Sequence, residues 1–105
     1  MAWIALFLAG FFEILWAAAM KQSQGFSRLW PSAATIGGVI VSFTLLAYSM
    51  RSLPLGTAYT IWTGIGALGA FILGIAVFGE DAHPTRILAA ILIVGGVILM
   101  KLAPA

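Results

Sequence analysis

Long apolar stretches with almost no charge dominate this chain of 105 residues. They cover about residues 2–20, 32–50, 57–78 and 85–102, and short segments containing Pro, Gly or charged residues separate them. A helix of roughly 20 apolar residues, rising 1.5 Å per residue, crosses a hydrocarbon core of about 30 Å. The pattern therefore predicts an all-α integral membrane protein whose four transmembrane helices form a single domain over residues 1–105.

The composition excludes several classes of function. Charged residues make up 8% of the chain, whereas a soluble domain carries roughly 25%. Five basic and three acidic residues are too few for a nucleic-acid-binding face, and the absence of cysteine excludes disulfides and thiolate metal sites. Glu80, Asp81 and His83 cluster between the third and fourth stretches, where we expect a solvated turn and not a metal site. Since no spacing matches a hydrolase, phosphate-loop or zinc motif, we expect neither an enzyme nor a cofactor.

A single acid, Glu13, interrupts the first apolar stretch. It lies about 15 Å from the start of this helix, near the middle of the bilayer. An ionisable residue at that depth indicates a functional site, and the alternative is a protonated structural acid bonded to another helix. Gly10 and Ala17 leave space beside the carboxylate, and Trp16 offers a ring edge and an indole N–H one turn away. No basic residue precedes this stretch, so we do not expect a cleaved signal peptide.

The second and third helices offer partners for Glu13. Ser42 lies near the middle of the second helix, where its hydroxyl bonds either the carboxylate or its own backbone. Tyr59 and Trp62 form an aromatic face early in the third helix, and an interfacial belt is the alternative for them. Aromatic faces suit cations, and a carboxylate binds a guanidinium through paired hydrogen bonds. This set favours a hydrogen-bonding organic cation over a quaternary ammonium.

Small residues mark two further features of the third and fourth helices. Gly64, Gly66 and Gly69 allow a bend in the third helix, although glycine alone does not impose a kink. Ala89 and Gly96 share one face of the fourth helix, in a pattern that suits packing of two copies against each other. Small residues that simply face lipid are the alternative.

The positive charges are almost evenly divided between the two sides of the membrane. The first and third loops carry Lys21, Arg28 and Arg86, and the second loop and C-terminal tail carry Arg51 and Lys101. A difference of one charge does not select an orientation. Because four helices are too few to enclose a transport path, we expect a homodimer of two oppositely oriented copies. The alternative is that one or two charges suffice to orient the chain.

Two motifs carry a resemblance to a known family. GFFEILWA around Glu13 and AYTIWTGIGA in the third helix resemble the small multidrug resistance family over the whole chain, and its guanidinium-exporter branch in particular. The resemblance implies a bacterial inner-membrane antiporter that exports guanidinium in exchange for protons, as an antiparallel homodimer that alternates access. It implies that substrate and protons compete for the paired Glu13 residues, and that the third helix bends at its glycines. The positions that line the site on this resemblance, beside Glu13, are Gly10, Trp16, Ser42, Tyr59 and Trp62.

Three other functions remain open at this stage. The chain can be a polyspecific exporter of quaternary ammonium compounds, a channel, or a non-transporting membrane scaffold in which Glu13 is structural. We favour export of guanidinium and singly substituted guanidines. No role for Lys101 follows from the sequence.

Overall fold

A computed structural model describes residues 1–104 and contains four helices there. Helix α1 spans Ala2–Gln22, α2 spans Leu29–Ser49, α3 spans Leu55–Ala76 and α4 spans Pro84–Leu102. Each is long and apolar enough to cross a membrane. The all-α architecture with four helices able to span a membrane is therefore confirmed.

Six of the eight helix ends differ from the sequence-based bounds, by one to three residues, and the largest difference lies at the start of α2. Helix α2 begins at Leu29, before Pro31, because the first four N–H groups of a helix have no partner and a proline there loses no hydrogen bond. Helix α4 begins at Pro84, one residue before the expected start. His83 caps it by accepting a hydrogen bond at Nδ1 from the Thr85 N–H, at 3.1 Å.

The spatial order of the helices differs from their order in the chain. Helix α1 packs between α2 and α3, whereas α2 and α3 have few contacts with each other. The consecutive helices α2 and α3 touch only locally, through Trp62 of α3. Over residues 1–104 the backbone of α4 contacts α3 alone. The chain forms a slab that measures 42 × 34 × 16 Å, so it is less than two helix diameters thick.

The buried core of the slab lies where α1, α2 and α3 meet. Its members are Leu6, Ala9, Leu46, Ala58, Ile61 and Trp62. Helix α4 contributes no buried residue, and its apolar side chains are exposed along most of its length. In a bilayer such a surface faces lipid or a second protein subunit.

Candidate functional site

The carboxylate of Glu13 is half-buried between α1 and α3. It packs directly on the backbone of Gly66, so a Cβ atom at position 66 would overlap the carboxylate. Within residues 1–104, Oε1 of Glu13 is buried and has no hydrogen-bond partner. The chain therefore buries a carboxylate oxygen without giving it a hydrogen-bond partner.

Trp16 lies one helical turn after Glu13 and rests on α2. A Cβ atom at Gly38 would lie 2.7 Å from Cβ of Trp16, so only glycine permits this close approach. The indole Nε1 is the other buried side-chain atom without a partner in the described part of the chain. Gly38 was not predicted as a site residue, although it lies one turn before Ser42 on the same face of α2. Consecutive turns of α1 thus present an unpaired acceptor and an unpaired donor.

Ser42 connects three helices through one buried hydroxyl. Its Oγ donates to the Ala9 carbonyl at 2.7 Å and accepts a hydrogen bond from Nε1 of Trp62 at 3.0 Å. The hydroxyl proton of Ser42 is therefore directed to the α1 backbone and not to Glu13. The Ala9 carbonyl has no signature in the sequence, because every helical residue carries one.

The aromatic residues of α3 extend from the buried Trp62 towards the surface. The ring centroids of Tyr59 and Trp62 are 5.4 Å apart, and Tyr59 is 52% exposed. On the other side Phe43 of α2 meets Trp62 edge-on, also at 5.4 Å. The structure thus groups the two predicted aromatic residues and adds Phe43, which sequence reasoning missed.

Several predicted site glycines mediate close packing between helices. A Cβ atom at Gly10 would lie 2.6 Å from Cγ2 of Ile65, so α1 and α3 cross closely there. Gly69 contacts Ile14, and Gly64 contacts α4. Helix α3 is continuous over Leu55–Ala76, and a bend at these glycines stays a prediction.

The remaining predicted residues lie on or near α4. Ala89 lines a groove between α3 and α4, whereas a Cβ atom at Gly96 would meet nothing within 4 Å. Lys101 extends to α1, where its ammonium lies 4.7 Å from the ring centroid of Trp3. This cation–π contact links the end of α4 to the start of α1.

Comparison with known proteins identifies the family. The family model described as Small Multidrug Resistance protein matches residues 1–102. The chain belongs to the small multidrug resistance family. A guanidinium exporter of Proteus vulgaris is 55% identical to it over 103 residues, which are 98% of this chain and 99% of the relative. The guanidinium exporters of Escherichia coli K12 and Citrobacter freundii are 53% and 52% identical, each with 98% of both chains covered.

Membership in the small multidrug resistance family makes this chain a multi-pass membrane protein. The names of the family and of the relatives indicate a transporter and not an enzyme. The candidate groups are the half-buried carboxylate of Glu13, the indole donor of Trp16 on the next turn, and the aromatic cluster that contacts Ser42. Such a set can bind a small cation that donates hydrogen bonds and stacks on rings.

Proposed function

We propose that this protein exports guanidinium from the bacterial cytoplasm across the inner membrane in exchange for protons. The observation that carries the proposal is the buried, unpaired Oε1 of Glu13, which lies one helical turn before the buried, unpaired indole N–H of Trp16. The relatives named guanidinium exporter, at 52–55% identity, support the same substrate.

The choice of guanidinium follows from the groups that the site offers. A carboxylate accepts two parallel N–H bonds from a guanidinium, and the planar cation stacks on aromatic rings. A quaternary ammonium donates no hydrogen bond and would leave Oε1 of Glu13 unsatisfied, which costs free energy in a buried site. Singly substituted guanidines keep N–H donors along one edge, so they belong to the same substrate range.

Proton coupling follows if substrate and proton use one carboxylate. Guanidinium needs an ionised Glu13, and a proton neutralises it, so the two ligands exclude each other. Competition produces exchange provided that only occupied states switch access between the two sides. Gly10, Trp16, Ser42, Tyr59 and Trp62 line the proposed site around Glu13.

An antiparallel homodimer would complete this site. A slab 16 Å thick does not enclose a path for a cation, and a second copy would bring a second Glu13 to the proposed site. The nearly even charge of the loops allows both orientations of one sequence. Ala89 and Gly96 are the proposed packing positions between the α4 helices, and Gly64, Gly66 and Gly69 are the proposed flexible positions of α3.

Transport by purified protein in liposomes tests the proposal. We expect an imposed pH gradient to drive guanidinium uptake that Glu13→Gln abolishes, whereas Asp81→Asn, which removes an acid outside the site, retains it. Guanidinium should also bind more weakly as the pH falls, and Glu13→Gln should lose that dependence.

Three results would contradict the proposal. Equal uptake of guanidinium and a bulky quaternary ammonium would indicate a polyspecific exporter. A current without any requirement for protons would indicate a channel. The absence of transport by a folded dimer would support a scaffold in which Glu13 is structural.

A further inference from the structure

A cavity lies between α1 and α3 at the end of the molecule that carries the first and third loops. Its volume is about 140 Å³, roughly ten times what one water molecule needs on the same measure. Ala17 and Ala70 line it, and they follow Glu13 and Gly66 by one helical turn each. The inner end of the cavity is therefore about 6 Å along α1 from Glu13. Lys21 and Glu80 carry the two charged groups that line it.

The carboxylate of Glu80 is held against α3 at this cavity. The Glu80 N–H donates to the Gly74 carbonyl at 2.9 Å. The side chain then packs on the backbone of Gly74, where a Cβ atom would lie 2.6 Å from Oε1 of Glu80. Glu13 packs on Gly66 in the same way. Two carboxylates thus contact glycines of one helix that are about 12 Å apart along its axis, with the cavity between them.

Glu80 already binds a guanidinium group, which belongs to Arg86. Nη2 of Arg86 lies 3.4 Å from Oε1 of Glu80, Nη1 donates to the Asp81 carbonyl at 2.8 Å, and Cζ lies 5.3 Å from the ring centroid of Phe71. Among the described residues, Arg86 is the only side chain that donates to Glu80. An ionised carboxylate accepts several hydrogen bonds, so Glu80 retains acceptor capacity.

We propose that Glu80 forms an outer, low-affinity subsite for guanidinium in this cavity. The inference rests on the proposed function, because it gives the exported cation a stopping point between the aqueous phase and Glu13. The substrate competes there with the guanidinium of Arg86 and the ammonium of Lys21. Weak binding suits such a subsite, since a cation that moves on must leave it.

Substitutions on the two sides of the Glu80–Arg86 pair should have opposite effects. Glu80→Gln removes the charge that attracts guanidinium and should raise the half-saturating guanidinium concentration for transport about three- to fivefold, the upper part of the range for one exposed ion pair. Arg86→Gln removes the competing guanidinium and should lower that concentration. If the pair only stabilises the fold, both variants should shift the half-saturating concentration in the same direction, because either substitution breaks the pair.

The experiment measures initial guanidinium transport by full-length protein in liposomes, over a range of guanidinium concentrations. Asp81→Asn is the matched control, because it neutralises the adjacent acid and keeps the backbone carbonyl that Arg86 uses. We expect this control to lie within about twofold of wild type, and the saturating rate of Glu80→Gln to be unchanged.

Each outcome is decisive for the subsite. Unchanged half-saturation in Glu80→Gln, or a shift in the same direction in Arg86→Gln, overturns it while Glu13-dependent transport leaves the proposed function intact. A wild-type protein that moves no guanidinium overturns the proposed function and the subsite together. A thermal unfolding curve of each variant identifies a loss of transport that comes from misfolding.

Discussion

Replacement of Ser42 by alanine tests whether one hydroxyl joins α1, α2 and α3. The change removes the bond to the Ala9 carbonyl and leaves the buried Nε1 of Trp62 without its acceptor. A hydrogen bond between membrane helices contributes about 0.6 kcal/mol on average and up to about 1.7 kcal/mol. Two such bonds predict that Ser42→Ala lowers the free energy of unfolding by about 1–3 kcal/mol.

Ser49→Ala is the matched control for that experiment. Ser49 is as buried as Ser42 and lies on the same helix, but its Oγ donates to the Leu46 carbonyl within α2. Loss of this local bond should change the free energy of unfolding by less than about 0.5 kcal/mol, because it connects no second helix. The assay is unfolding of the protein in mixed micelles by increasing SDS, followed by circular dichroism.

A double-mutant cycle isolates the contact between Ser42 and Trp62. The double variant Ser42→Ala/Trp62→Phe should lose about 0.6–1.7 kcal/mol less free energy of unfolding than the sum of the losses in the two single variants. Additive single changes, or a Ser42→Ala variant as stable as Ser49→Ala, would refute the account of Ser42 as the connection between three helices.

Two further predictions concern the Glu13 site and the orientation of the chain. Gly66→Ala should weaken guanidinium binding about tenfold or more in a calorimetric titration, because the new methyl group displaces the carboxylate of Glu13. Gly37→Ala, whose Cβ meets nothing within 4 Å, should bind guanidinium as wild type does. Equal affinities of the two variants would contradict the close packing of Glu13 on Gly66. Since the chain has no cysteine, a single Ala82→Cys in the third loop should react with an impermeant maleimide from both sides of the membrane to similar extents, and labelling from one side alone would disprove dual orientation.

The sequence alone predicted the four apolar helices and singled out Glu13 as the acid within the first of them. Apolar stretches of the length of a bilayer form helices because the helix satisfies its own backbone hydrogen bonds in lipid. The depth of Glu13 was estimated by counting residues along α1, and the helix ends were placed to within three residues. These features depend on local sequence and on the thickness of the membrane, so no knowledge of the packing was needed.

Only the tertiary structure decided which faces of these helices meet. Helices α1, α2 and α3 are apolar on nearly all sides, so their periodicity does not select the side that packs. The sequence therefore did not reveal that α2 and α3 have few contacts with each other, or that Ser42 bonds the Ala9 carbonyl. It also did not reveal that Gly66 underlies Glu13, because a close approach depends on the rotation of both helices about their axes. Glycine marks where such contact is permitted, and the packing of the neighbouring helix determines where it occurs.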